Sequence, residues 1–232
     1  MKIDSDFFSG RRLLIVTKHQ KETVIAPLLE EALGVQCVVA KDFDTDSLGT
    51  FSGEISRQED ALTTLRQKCL EGMKSEKFDL AVATEGSFGN HPTVFFAPAN
   101  DELIMLIDQK NYLEIVERVL SLETNFQSTE IHSIGDLYSF LDIVQFPSHG
   151  VILKNAEKNW TRIEKGICDF ETLEKVYHEF TSSGMQCFIE TDMRAMHNPT
   201  RMKIIKEASL KLINKLHSVC PVCFLPGFGV VS

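Results

Sequence analysis

Apolar residues run through this chain in two alternating patterns. Short continuous runs at residues 13–16, 37–40, 80–83, 93–97, 103–108, 115–122, 150–153 and 186–190 predict strands. Their continuity, in place of strict alternation, predicts a sheet covered on both faces. Between them apolar side chains recur at three- and four-residue spacing, the signature of amphipathic helices. Val24, Leu28, Leu29 and Leu33 form one stripe, closed by Gly34, and Leu62, Leu65, Cys69 and Met73 form a second, opened by Ser56 with Glu59 three residues on. Ile134, Leu137, Tyr138 and Leu141 follow a Ser133 cap, and Phe170, Leu173, Val176, Tyr177 and Phe180 follow Asp169. Met202, Ile205, Leu212, Ile213 and Leu216 follow Asn198, with Pro199 at the first helical position.

Strand, helix, strand, helix, strand over residues 13–83 predicts parallel crossovers, and the close spacing of residues 93–122 predicts antiparallel hairpins. The fold class is therefore α/β, a mixed, centrally parallel sheet with helices on both faces. The chain reads as one domain over residues 1–232, with two lobes meeting near 128–133 as the alternative partition and a C-terminal tail at 217–232.

Composition narrows the class further. The 232 residues are 43% hydrophobic and 25% charged, enough to bury a sizeable core. Residues 1–12 have no apolar signal core and no run approaches a membrane span, so a soluble, cytoplasmic protein is expected, with no membrane partner. A net charge of −9 argues against nucleic acid as a partner. Arg201, Lys203, Lys206, Lys211 and Lys215 concentrate positive charge on the last helix, where a solvated face accounts for them.

The densest chemistry lies in ETDMRAMHNPTRMK, residues 190–203, directly after a strand run and beside a helix start that favours anions. Asp192 and Arg194 there either satisfy each other or serve a ligand. Three further polar loops, residues 17–22, 41–57 and 83–92, follow other strands, and parallel strands would bring all four loops to one edge. Lys21, Arg194, Asn198 and Arg201 are candidates for holding an anion, and Glu54, Glu85 and Asp192 are candidate catalytic carboxylates around a Mg²⁺ or Mn²⁺ ion. Asp42, Asp44 and Asp46 alternate but lack the later glutamate of a calcium-binding loop and read as an acidic turn. His91 and His197 read as turn residues.

Six cysteines occur. Cys37, Cys69, Cys168 and Cys187 fall in apolar runs and are expected to be buried free thiols. Cys220-Pro-Val-Cys223 has the spacing of one zinc knuckle, with His217 as a third donor at most. It is therefore either an incomplete zinc site, shared with another molecule, or an inert reduced pair.

Through DTDSLGTFSGEISR, ATEGSFGNHP, ETDMRAMHNPTRM and CPVC, the chain resembles an uncharacterised bacterial family defined as a domain of unknown function. Residues 13–108 more distantly resemble the inosine/xanthosine triphosphate pyrophosphatase superfamily: Thr17, His19 and Lys21 approximate its opening turn, Glu54 or Glu59 its helix entry, and Glu85-Gly86 its acidic turn. His19 replaces an asparagine and Lys21 comes one residue early. That resemblance implies a Mg²⁺-dependent nucleotide hydrolase, with Glu54 and Glu85 placing metal and water. The expected function is a metal-assisted hydrolase or transferase acting on a phosphorylated small molecule such as a nucleotide. The alternative is a non-enzymatic anion-binding or sensor module whose CPVC end meets a partner.

Overall fold

The computed structural model describes residues 7–41, 43 and 60–229. The first apolar run forms β1 (Arg12–Val16), which joins β2 (Gln36–Val39), β3 (Leu80–Asn90), β4 (Pro98–Asp108) and β5 (Leu113–Ser121) in a sheet of order β2-β1-β3-β4-β5. β1 is parallel to both β2 and β3, with Leu14 facing Val38 on one side and Ala81 on the other, and β4 and β5 are antiparallel. The sheet is mixed, as the element order predicts.

Helices α1 (Glu22–Leu33) and α2 (Ala61–Glu76) supply the crossovers. Gly34 ends α1 at φ +65°, a left-handed cap that glycine adopts without steric cost. Asp60 opens α2 by accepting the amides of Leu62 and Thr63; the cap expected at Ser56 and Glu59 lies outside the described residues. Leu65, Cys69 and Met73 of α2 pack on Leu14, Val16, Ala81, Ala83 and Met105. Leu13, Ile15, Leu80 and Val82 point the other way and are equally inaccessible, so both faces are covered.

A second sheet was not foreseen. β6 (Ser128–Ile131), β7 (Val151–Lys154), β8 (Ile163–Ile167) and β9 (Cys187–Thr191) pair in the order β6-β9-β7-β8, antiparallel throughout. β6 and β8 escape the sequence pattern because they are short and largely polar. Helices α3 (Ile134–Ile143) and α4 (Phe170–Ser182) bury Leu137, Phe140, Leu173, Val176 and Phe180 against Val151, Leu153 and Ile189. Burying side chains of this size stabilises by roughly 1.5–3 kcal/mol each.

The chain folds as two compact units, Met1–Phe88 with Asn100–Ser121 and Met202–Ser232, and Gly89–Ala99 with Leu122–Arg201. The last helix, α5 (Pro199–His217), contributes its first turn to the second unit and its remainder to the first. The strand expected at 93–97 is a turn instead: His91 Nδ1 accepts the amides of Thr93 and Val94, and Phe95 and Phe96 are exposed. Among the described residues no helix is long and apolar enough to cross a membrane.

Candidate functional site

The two sheets divide the expected site. Lys21 and Glu85 belong to the first unit, Asp192, Arg194, Asn198 and Arg201 to the second, and the strands that precede Glu85 and Asp192 lie in different sheets. The expectation of one shared sheet edge is corrected on that ground. Glu54, Asp42, Asp44 and Asp46 lie outside the described residues.

In the first unit the alternation of β3 sends Thr84 to one face and Glu85 to the other. Lys21, only 5% exposed, donates to Thr84 Oγ1 at 2.8 Å and stands 3.9 Å from Glu102, which is wholly buried. On the opposite face Lys68 of α2 pairs with Glu85 at 2.5 Å. Lys21 and Glu85 are therefore held by separate ion pairs rather than around one ligand. His19 and Gln20, just before Lys21, both have positive φ, at 68° and 61°. Non-glycine residues in this region cost about 1–3 kcal/mol each and are held there only by a determined surrounding.

The second unit holds the more chemically equipped cluster. β9 delivers Asp192, which is completely buried, into the turn before α5. Its Oδ1 accepts from the backbone amide and Nε of Arg194 at 3.0 Å each, and its Oδ2 accepts from Arg194 Nη2 at 2.5 Å and from the Gly166 amide at 3.1 Å. Asp192 is thus an anchor that fixes a guanidinium, and the Arg194 side chain keeps 24% of its surface exposed. Glu190, two residues before Asp192, pairs with Lys154 at 2.6 Å, and burial pushes its carboxyl above the ordinary range against the opposing pull of Lys154.

Asn198 caps α5 as expected: its Oδ1 accepts the Arg201 amide at 2.9 Å, while its Nδ2 donates to Asn125 Oδ1 at 2.8 Å. Arg201, expected to hold a ligand, is only 1% exposed and donates to the Met193 carbonyl at 2.6 Å. It ties the loop to the helix from inside. The first N–H of α5, that of Thr200 after Pro199, has an unforeseen cap, His149, whose Nε2 accepts from Thr200 N at 3.3 Å and lies 2.9 Å from Thr200 Oγ1. Burial lowers the pKa of His149 and the Gln145 backbone opposes it.

A folded-state pKa below that of the unfolded chain means stability is present above about pH 6.5 and is lost as pH falls through the lower folded value. Chemical denaturation of the wild type should therefore show a loss of stability as pH falls below about 6.5 that His149→Gln removes in large part. Equal pH slopes in the two proteins would rule out His149 as the source.

Sequence reasoning missed the pair beside Arg194. Cys168, expected in a buried run, is exposed, and its Sγ lies 3.3 Å from Nδ1 of His197. Burial and Asp192 raise the thiol pKa, with Arg194 opposing, while burial lowers that of His197. At neutral pH the pair is a thiol and a neutral imidazole. Each residue immediately precedes a helix N-cap, Cys168 before Asp169 and His197 before Asn198. That placement was legible, since Asp169 and Asn198 are cap residue types read directly from the sequence.

Gly150 and Gly166 make room for these side chains. A Cβ on Gly150 would come within 3.0 Å of His197 Cβ and 3.1 Å of Cys168 Sγ; one on Gly166, where φ is +71°, would lie 3.0 Å from both Arg194 Nη2 and His197 Nε2. The Gly150 backbone also joins the two anchors, donating to the His197 carbonyl and accepting from the Asp192 amide, each at 2.8 Å.

The CPVC tail is ordered, not loose. Cys220 N donates to Leu225 O and Phe224 N to Cys220 O, both at 2.9 Å, around a bridge between Val219 and Pro226. Backbone amides of Cys223 and Val222 lower the pKa of Cys220. His217, the expected third donor, has its Nε2 3.4 Å from the Ala32 carbonyl oxygen. Two thiols do not complete a tetrahedral zinc site, and among the described residues no three His, Cys, Asp or Glu side chains are grouped to hold a metal.

The chain belongs to the family described as Domain of unknown function (DUF6671), whose profile matches residues 68–232. No curated protein matches it. Among solved structures it is similar to the crystal structure of protein VC0702 from Vibrio cholerae, at 7% identity and a TM-score of 0.36, over 88% of this chain and 94% of that one.

Proposed function

Within a family described only as a domain of unknown function, we propose that this protein is a hydrolase or transferase acting on a small phosphorylated molecule, and that Arg194 receives the anion. One observation carries the reading: a fully buried Asp192 fixes a part-exposed guanidinium beside a thiol and imidazole 3.3 Å apart. Guanidinium matches phosphate and carboxylate through paired N–H donors, and holding it in place beforehand reduces the entropy lost on binding. Glu85 and Asp192, expected to hold Mg²⁺ or Mn²⁺, are each taken by a cation of the chain itself, Lys68 and Arg194. The described donor set does not fit a divalent ion, and the chemistry proposed draws on Cys168, His197 and Arg194 alone.

A thermal-shift panel of nucleotides, sugar phosphates and acyl phosphates tests the anion site. At least one compound should raise the melting temperature of the wild type, and Arg194→Ala should abolish that rise. An undiminished shift in Arg194→Ala would remove Arg194 from the site. Binding without turnover of any compound would favour the sensor reading over the enzyme.

A further inference from the structure

We infer that Cys168 and His197 form a nucleophile and base pair for acyl transfer, and that the substrate is an acyl compound with an anionic leaving group, of which an acyl phosphate is the simplest. The inference rests on the reading of Arg194 as the anion receptor and goes beyond it by assigning the reacting atoms.

The other thiols of the described residues differ in kind: Cys37 is part-buried with its pKa raised by burial, and Cys220 is held by Cys223 and Val222 within its own CPVC turn. Cys69 and Cys187 are buried in the two cores, where desolvation raises both pKa values and no electrophile arrives. Cys168 is exposed, faces an imidazole nitrogen, and stands at the entry to a thirteen-residue helix. Gly150, just before β7, and Gly166 of β8 face this pair, and the tight contacts that a Cβ would make there show that the local backbone is fitted closely around His197, Cys168 and Arg194 together. The charged groups that bear on the pair are Asp192, Arg194 and, for the thiol, Asp169.

The geometry supports base-assisted attack from a neutral pair. His197 Nδ1 accepts the thiol proton as Sγ bonds to the acyl carbon; the carbon–oxygen bond to phosphate breaks, and the phosphate leaves with the bonding electrons and the proton from His197, its charge met by Arg194. Water then attacks the thioester, His197 takes its proton, the carbon–sulfur bond breaks and the proton returns to sulfur. The products are a carboxylic acid and inorganic phosphate; an acceptor other than water gives transfer.

Acetyl phosphate is the probe, applied to the full chain with peptide mapping by mass spectrometry. One acetyl group is expected on Cys168, labile to hydroxylamine as a thioester is, and absent from Cys168→Ser, a change at an exposed position that should leave folding intact. His197→Gln should slow its formation about a hundredfold, within the usual contribution of a general base. The wild-type rate should rise as His197 deprotonates, below the ordinary imidazole range, and stay flat through neutrality, a profile that His197→Gln removes. Acetylation no faster than in the urea-unfolded chain, or equally fast in His197→Gln, would overturn the pair. A wild-type thermal shift with acetyl phosphate that persists without acetylation would sink the covalent step and leave the anion site standing. Acetylation that is indifferent to Arg194→Ala would instead sink the anion site.

Discussion

Replacing Asp192 by alanine should destabilise the second unit by about 3 kcal/mol, because it removes the buried carboxylate that holds the part-exposed Arg194 guanidinium and leaves the Gly166 amide without its acceptor. A fully buried pair broken on one side costs about 3–5 kcal/mol; Arg194 is part-exposed and regains some hydration, which places the expectation at the lower end. Asp192→Asn retains one acceptor and should cost about half as much. Urea unfolding followed by fluorescence or circular dichroism measures the difference. A loss below about 1 kcal/mol would show that Arg194 does not depend on Asp192. The same variants should weaken any ligand-induced thermal shift, since an untethered guanidinium must be ordered on binding.

The second large effect is expected in the first unit. Lys68→Met should cost about 3 kcal/mol, since it leaves the Glu85 carboxylate, 6% exposed, without the ammonium 2.5 Å away. Pairing it with Glu85→Leu should recover much of that loss, because two apolar side chains of similar volume need no compensation for lost hydration. A double-mutant cycle reads the coupling directly. Additive losses would mean that Glu85 draws its stabilisation from other neighbours. Recovery would identify the pair as structural and argue against Glu85 as a catalytic carboxylate.

Much of the architecture was written in local pattern. The runs at 13–16, 80–83 and 103–108 became β1, β3 and β4, and the stripes through Leu29, Leu65, Leu137, Leu173 and Leu212 became the five helices of the described residues. The caps at Gly34, Ser133, Asp169 and Asn198 fell where the residue types put them. These features depend on neighbours within a few positions, and a single sequence contains those neighbours.

Other features depend on partners far along the chain. β6, with three exposed residues of four, gains its place only by pairing with β9, and the polar β8 only by pairing with β7. Because β9 pairs with β6 and β7, the loop after it left the edge on which the sequence placed Glu85.

The candidate site divides in the same way. Residue type alone marked Asp192 and Arg194 as charged neighbours at a strand end and Asn198 as a cap, because a carboxylate, a guanidinium and an Asn-Pro start have fixed chemistries. Sequence distance concealed that His197 meets Cys168, 29 positions away, that His149 caps a helix 51 positions on, and that Arg201 turns inward. Local sequence determined what each side chain can do. Burial and long-range pairing, which arise only when the strands close, decided which side chains do it together.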